Sequence, residues 1–105
     1  MEKIAFDFKN RTAIVTGGAQ GFGLDISQRF LKSGANVIIW DNDSKTLEKA
    51  IKDLNHQNLS GKVVDVSNYK EVDKNVKEIT KNTKIDILIN NAGITGPTAS
   101  LWDYD

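Results

Sequence analysis

The chain has 105 residues, with 14 basic and 14 acidic side chains that cancel, and it contains no cysteine. Such a length buries one modest core, and a neutral chain without blocks of like charge gives no footing to a nucleic-acid or anionic-membrane partner. The lack of cysteine excludes a disulfide framework and a thiolate metal site, and 39% hydrophobic with 27% charged residues is a globular rather than a disordered composition.

The first residues, Met1 to Phe8, carry acids and no long apolar stretch, which argues against a signal peptide. Arg11 to Thr16 is β-branched and apolar, as a buried parallel strand should be. Thr16-Gly17-Gly18-Ala19-Gln20-Gly21-Phe22-Gly23 follows, and from Leu24 onward Ile26 and Phe30 recur at a helical spacing up to a stop at Gly34. A glycine turn between strand and helix gathers backbone N–H groups and the positive end of a helix dipole, which suits a phosphate. Asn36 to Trp40 reads as a second buried strand closed by Asp41. Its apolar run, Val37 to Trp40, is too short to cross a bilayer.

Asp43 or Ser44 can cap a helix with Leu47, Ala50, Ile51 and Leu54 on one face. Leu59 to Val66 contains a third strand, Lys62-Val63-Val64-Asp65. Asn68 can cap the next helix, with Glu71 placed as in a capping box and Tyr69, Val72, Val76 and Ile79 in one stripe. Ile85 to Asn90 is a fourth strand, ending in Asn90-Asn91-Ala92-Gly93. This β-α-β-α-β-α-β order predicts an open α/β sheet, doubly wound, with ligands at the carboxyl ends of its strands. Thr16 to Gly23, Asp41, Asp65 and Asn90 to Gly93 all sit at such ends.

The spacing G-x-x-x-G-x-G is longer than the commoner dinucleotide fingerprint but asks the same of its glycines. Gly17 takes the turn off the strand, Gly21 lets the backbone approach a pyrophosphate, and Gly23 allows close helix–sheet packing. Asp41, 18 residues after Gly23, stands where an acid accepts from the adenosine ribose of NAD. It would repel the 2′-phosphate of NADP by about 4 kcal/mol at ~4 Å, before salt screening. NAD is therefore expected over NADP; a plain turn through Asn42 and Asp43 is the alternative use of Asp41. Asp65 can accept from an adenine amino group beside Val66, or simply begin a turn. His56, among Asn55, Gln57 and Asn58, reads as solvated, with no second histidine to share a metal, and Asp86 as structural.

Taken together, Thr16-Gly17-x-x-x-Gly21-x-Gly23, Asp41, Asp65-Val66 and Asn90-Asn91-Ala92-Gly93 resemble the short-chain dehydrogenase/reductase family. The resemblance implies a Rossmann-type fold. It implies that Gly17, Gln20, Gly21, Phe22 and Gly23 line the cofactor phosphates, Asp41 the adenine ribose, Asp65 with Val66 the adenine, and Asn91, Ala92 and Gly93 the remaining ribose. The activity implied is hydride transfer between a nicotinamide and a small carbonyl or secondary alcohol. The stretch Ile94 to Pro97, with Trp102 and Tyr104, is similar to 3-oxoacyl-carrier-protein reductases and to sugar or sugar-acid dehydrogenases. A cytoplasmic homo-oligomer is expected of the whole protein.

The family's catalytic serine and Tyr-x-x-x-Lys lie beyond the Asn-Asn-Ala-Gly strand, and no Tyr-x-x-x-Lys occurs here: Tyr69 is followed at that distance by Asp73. Residues 1–105 are thus expected to be the cofactor-binding portion of one domain, cut before its catalytic half and inactive alone. The fourth strand would then be left as an unpaired, aggregation-prone edge. A non-catalytic dinucleotide-binding module is the alternative from another class. An S-adenosylmethionine-binding sheet is a third, disfavoured by the glycine spacing and by Asn-Asn-Ala-Gly.

Overall fold

A computed structural model describes residues 8–91 and the backbone of 100–102. Among the described residues, the four expected strands and three helices alternate in the expected order, and a fifth strand that the pattern did not announce follows: β1 (Thr12–Thr16), α1 (Gly21–Lys32), β2 (Asn36–Asp41), α2 (Ser44–Leu54), β3 (Leu59–Val63), α3 (Tyr69–Thr80), β4 (Ile87–Asn90) and β5 (Ser100–Trp102). The sheet order is β3-β2-β1-β4-β5, and the first four strands run parallel. Strand order reverses at β1, so the chain crosses to opposite sides of β1 in its two halves.

The β1 strand is buried along its whole length and works for both layers. Val15 joins Val37 and Ile39 of β2 in a cluster covered by Leu31 of α1 and Leu47 and Ala50 of α2. Ile14 joins Trp40 and Leu88 on the other side, where Val76 of α3 closes the core. The period-two alternation of β2 is legible in this division, Ile38 and Trp40 to one face and Val37 and Ile39 to the other. The α2 stripe forms as its spacing predicts, with Ile51 and Leu54 packed beside Leu47 and Ala50.

Several expectations are corrected. The buried ridge of α1 is Gly23, Ser27 and Leu31, while Leu24, Ile26 and Phe30 flank it partly buried. Small residues at i and i+4, Gly23 and Ser27, let this helix lie close to the sheet, and Ser27 hides its hydroxyl by donating to Gly23 O at 2.8 Å. Tyr69 does not belong to the α3 stripe: it is 78% exposed at the first helical position, one turn before Val72 reaches the core. The third strand ends at Val63 rather than running to Asp65, because Asp65 begins a turn. The fourth is shorter than Ile85 to Asn90: Asp86 N still donates to Thr12 O, but the ladder proper begins at Ile87.

The expected bare edge on β4 is also overturned. β5 pairs with it antiparallel, Leu88 opposite Trp102 and Asn90 opposite Ser100, so Leu88 to Asn90 have a strand on both sides.

Candidate cofactor-binding site

The in-register parallel pairing brings Thr16, Trp40 and Asn90 level at the carboxyl end of the sheet, with Asp41 opposite Val63. Above this end lies a cleft of about 310 Å³, lined by Gly17, Gln20, Asp41, Asn42, Val64, Asp65, Val66, Ser67 and Asn91. Among the expected site residues, Gly17, Gln20, Asp41, Asp65, Val66 and Asn91 thus meet around one space. Gly21, Phe22 and Gly23 form the adjoining first turn of α1. Ala92 and Gly93 lie outside the described residues, as does Tyr104.

The glycine loop is built as its spacing requires. Gly17 and Gly21 have φ of 64° and 59°, in the left-handed region that glycine alone enters freely. A Cβ on Gly23 would collide with the carbonyl oxygen of Gly17 and stand 2.8 Å from Asn91 Nδ2, so helix and loop touch through hydrogen there. Gln20 stands at the N-cap of α1 without a side-chain cap bond, and the first turn holds no acid. The other helices are closed: Asp43 caps α2, and Asn68 caps α3 by accepting from Glu71 N at 3.2 Å. The N-terminus of α1 therefore keeps its N–H donors and partial positive charge available to an anion. Phe22, 82% exposed, projects away from the packed core at this turn.

A hydroxyl ties the loop to the next strand. Thr16 Oγ1 accepts from Asn91 N at 2.8 Å and has Asn90 Oδ1 at 3.0 Å and Ile89 O at 3.3 Å as acceptors for its own proton. Asn91 Nδ2 donates to Gly17 O at 3.3 Å. The two asparagines thus hold the ends of β1 and β4 together, the role their polar amides suggest in a buried exit. The reach of Thr16 is less legible, since a threonine ending a strand commonly means β-propensity alone.

Asp41 is 4% exposed. Its Oδ1 accepts from Asp43 N at 3.0 Å, while its Oδ2 is buried with no hydrogen-bond partner. An unpaired buried carboxylate oxygen costs free energy until a donor reaches it. Asp65 is exposed and differently engaged: its Oδ1 accepts from Ser67 Oγ at 2.6 Å and Ser67 N at 3.0 Å, which holds its carboxyl below the usual aspartate range. Asp65 N donates to Glu71 Oε1 at 3.0 Å, so Glu71 turns to the strand exit rather than completing a capping box on Asn68.

Asp86 belongs to the opposite end of the sheet. It accepts from Thr12 N at 2.9 Å and lies 3.9 Å from both Arg11 and Lys84, clamping the entries of β1 and β4. His56 is exposed and accepts from Asn58 N at 3.0 Å. Among the described residues, no helix is long and apolar enough to cross a membrane.

Comparison with known proteins agrees with this geometry. The short chain dehydrogenase family model matches residues 11–103. The chain is 40% identical over 90 residues to the 3-oxoacyl-[acyl-carrier-protein] reductase FabG of Chlamydia trachomatis, covering 82% of this chain and 36% of that protein. It is 33% identical over 105 residues to the 2-dehydro-3-deoxy-L-rhamnonate dehydrogenase (NAD(+)) of a Sphingomonas species, covering 99% of this chain and 41% of the relative. Among solved structures, the Pseudomonas aeruginosa RhlG/NADP active-site complex superposes with a TM-score of 0.76 at 29% identity, over 86% of this chain and 37% of that one. The chain therefore spans about 40% of the length of these relatives. With the family model matched over most of its length, the chain belongs to the short-chain dehydrogenase family.

Proposed function

We propose that residues 1–105 are the cofactor-binding part of a longer NAD(H)-dependent oxidoreductase that interconverts a secondary alcohol and a ketone. Asp41 Oδ2 carries the reading: it is a buried acceptor without a donor, on the wall of a cleft shared with Gly17 and Gln20. A ribose hydroxyl supplies that donor, whereas a 2′-phosphate presents oxygens and like charge. This favours NAD over NADP. The open first turn of α1, from Gln20 through Gly21, Phe22 and Gly23, takes the phosphates together with Gly17. Asp65 and Val66 take the adenine, and Asn91 with Ala92 and Gly93 the second ribose.

When bound, the nicotinamide exchanges a hydride with the substrate carbon. The residues of this chain hold and orient the dinucleotide, and none of them is assigned to moving a proton at that carbon. The names of these relatives, a 3-oxoacyl reductase and a sugar-acid dehydrogenase, support a carbonyl or secondary-alcohol substrate.

Titration with NADH and NADPH tests the reading. Tighter binding of NADH is expected, and Asp41→Ala should weaken it about tenfold or more while narrowing its advantage over NADPH. An unchanged ratio would reduce Asp41 to a turn residue. Ketone reduction by the 105-residue chain alone would overturn the placement of catalysis outside it.

A further inference from the structure

We propose that the apolar pocket between α3 and the sheet is a second binding site, for a small neutral carbonyl compound that accepts a hydrogen bond from Trp40. The inference is independent of the cofactor reading. Among the described residues, two buried side-chain atoms lack a hydrogen-bond partner, Asp41 Oδ2 and Trp40 Nε1, and they belong to neighbours on β2. Consecutive strand residues face opposite sides of a sheet, so the two atoms serve different spaces. Asp41 lines the cofactor cleft. Trp40 lines instead a separate cavity of about 120 Å³ on the α3 side.

The lining of that cavity decides what fits it. Trp40, Val66, Val72 and Leu88 make it chiefly apolar. A dry apolar cavity of about 150 Å³ is known to hold a benzene ring, so a molecule of one small ring matches the size. The polar groups left over are donors. The indole N–H has no partner and Trp40 is 0% exposed. Asn90 has its Oδ1 taken by Thr16 Oγ1 at 3.0 Å, which leaves its amide N–H groups. A carbonyl oxygen answers such donors and adds no proton that would need an acceptor in turn. A carboxylate would also accept, but burying its charge in this lining costs more than one hydrogen bond returns. Ser67 and Tyr69 form the exposed rim, past which an occupant reaches the indole. Val66 and Ser67 line cleft and pocket alike, so the two spaces share a wall.

Cyclohexanone and methylenecyclohexane, which exchange C=O for C=CH₂ at nearly constant shape, test the site. The readout is the indole N–H signal of the full-length protein that Trp40→Phe removes from the NMR spectrum. Cyclohexanone should move that signal saturably, with a dissociation constant on the order of 1 mM. Methylenecyclohexane should bind about tenfold more weakly. Equal affinity for the two probes, or an indole signal that does not move, would overturn the proposal. Saturating NADH should leave the shift in place; its loss would make the pocket part of the cofactor site and likewise overturn a second site. A shift seen with residues 1–105 but absent from a longer protein would assign the pocket to the remaining chain and reject a ligand there. Val72→Phe fills the cavity and should abolish the shift, and a folded variant that keeps it would place the ligand elsewhere. Should Val72→Phe fail to fold, the pair of probes on the unaltered protein decides.

Discussion

Asp41, Asp43 and Asp65 are the same side chain in three situations within one edge of the sheet. Asp41 is buried with one oxygen unanswered, Asp43 is a surface cap, and Asp65 closes a turn on Ser67. Hydrogen bonds from Thr46 first, then Lys45, hold the Asp43 carboxyl below its ordinary value of 3.8; the Ser67 hydroxyl and then its N–H do the same for Asp65. Both folded values are lowered, so the stabilisation each gives is full above pH 3.8 and is lost as pH falls through the lower folded value. Carboxyl titration followed by NMR should place both midpoints below 3.8, and a midpoint at or above it would contradict these bonds. The residue types were readable at these positions; which oxygen stays unpaired was not, because that depends on where Asp43 N points once α2 begins.

At the scale of elements, strand and helix identities follow from period and punctuation. Gly34 stops α1 with φ of 93°, and Asp43 and Asn68 cap where their spacing places them. Boundaries and faces were less legible. A helix face defined by Gly23 and Ser27 leaves no apolar signal, and Tyr69 fits the α3 period yet falls beyond the sheet. The two loop glycines should respond differently to substitution. Gly23→Ala forces a methyl into the Gly17 carbonyl and should cost about 1–3 kcal/mol in urea unfolding. Gly21→Ala meets no atom within 4 Å and should cost only about 1 kcal/mol, from its positive φ. A bulky residue at Gly21 should spare the fold but abolish dinucleotide binding; retained binding would place the pyrophosphate elsewhere.

At the scale of the whole molecule, the central β1 strand couples the two layers, since Ile14 and Val15 stand back to back. Ile14→Ala and Ile39→Ala, from opposite faces, should each destabilise by about 2–5 kcal/mol. Both should lower one shared unfolding transition, and two separable transitions in denaturant would show that the layers fold independently. The pairing of β4 by β5 belongs to this scale, as no local pattern marks Ser100 to Trp102 as an antiparallel neighbour. The sequence by itself determined the order of elements, the strand ends that carry polar groups and the glycine turn, because period, propensity and backbone sterics act over a few residues. Only the tertiary structure decided that Thr16 locks Asn90 and Asn91, that Asp41 keeps a buried oxygen free and that β4 is paired on both sides. Those contacts join residues far apart in the chain, and their geometry is set by how the layers pack.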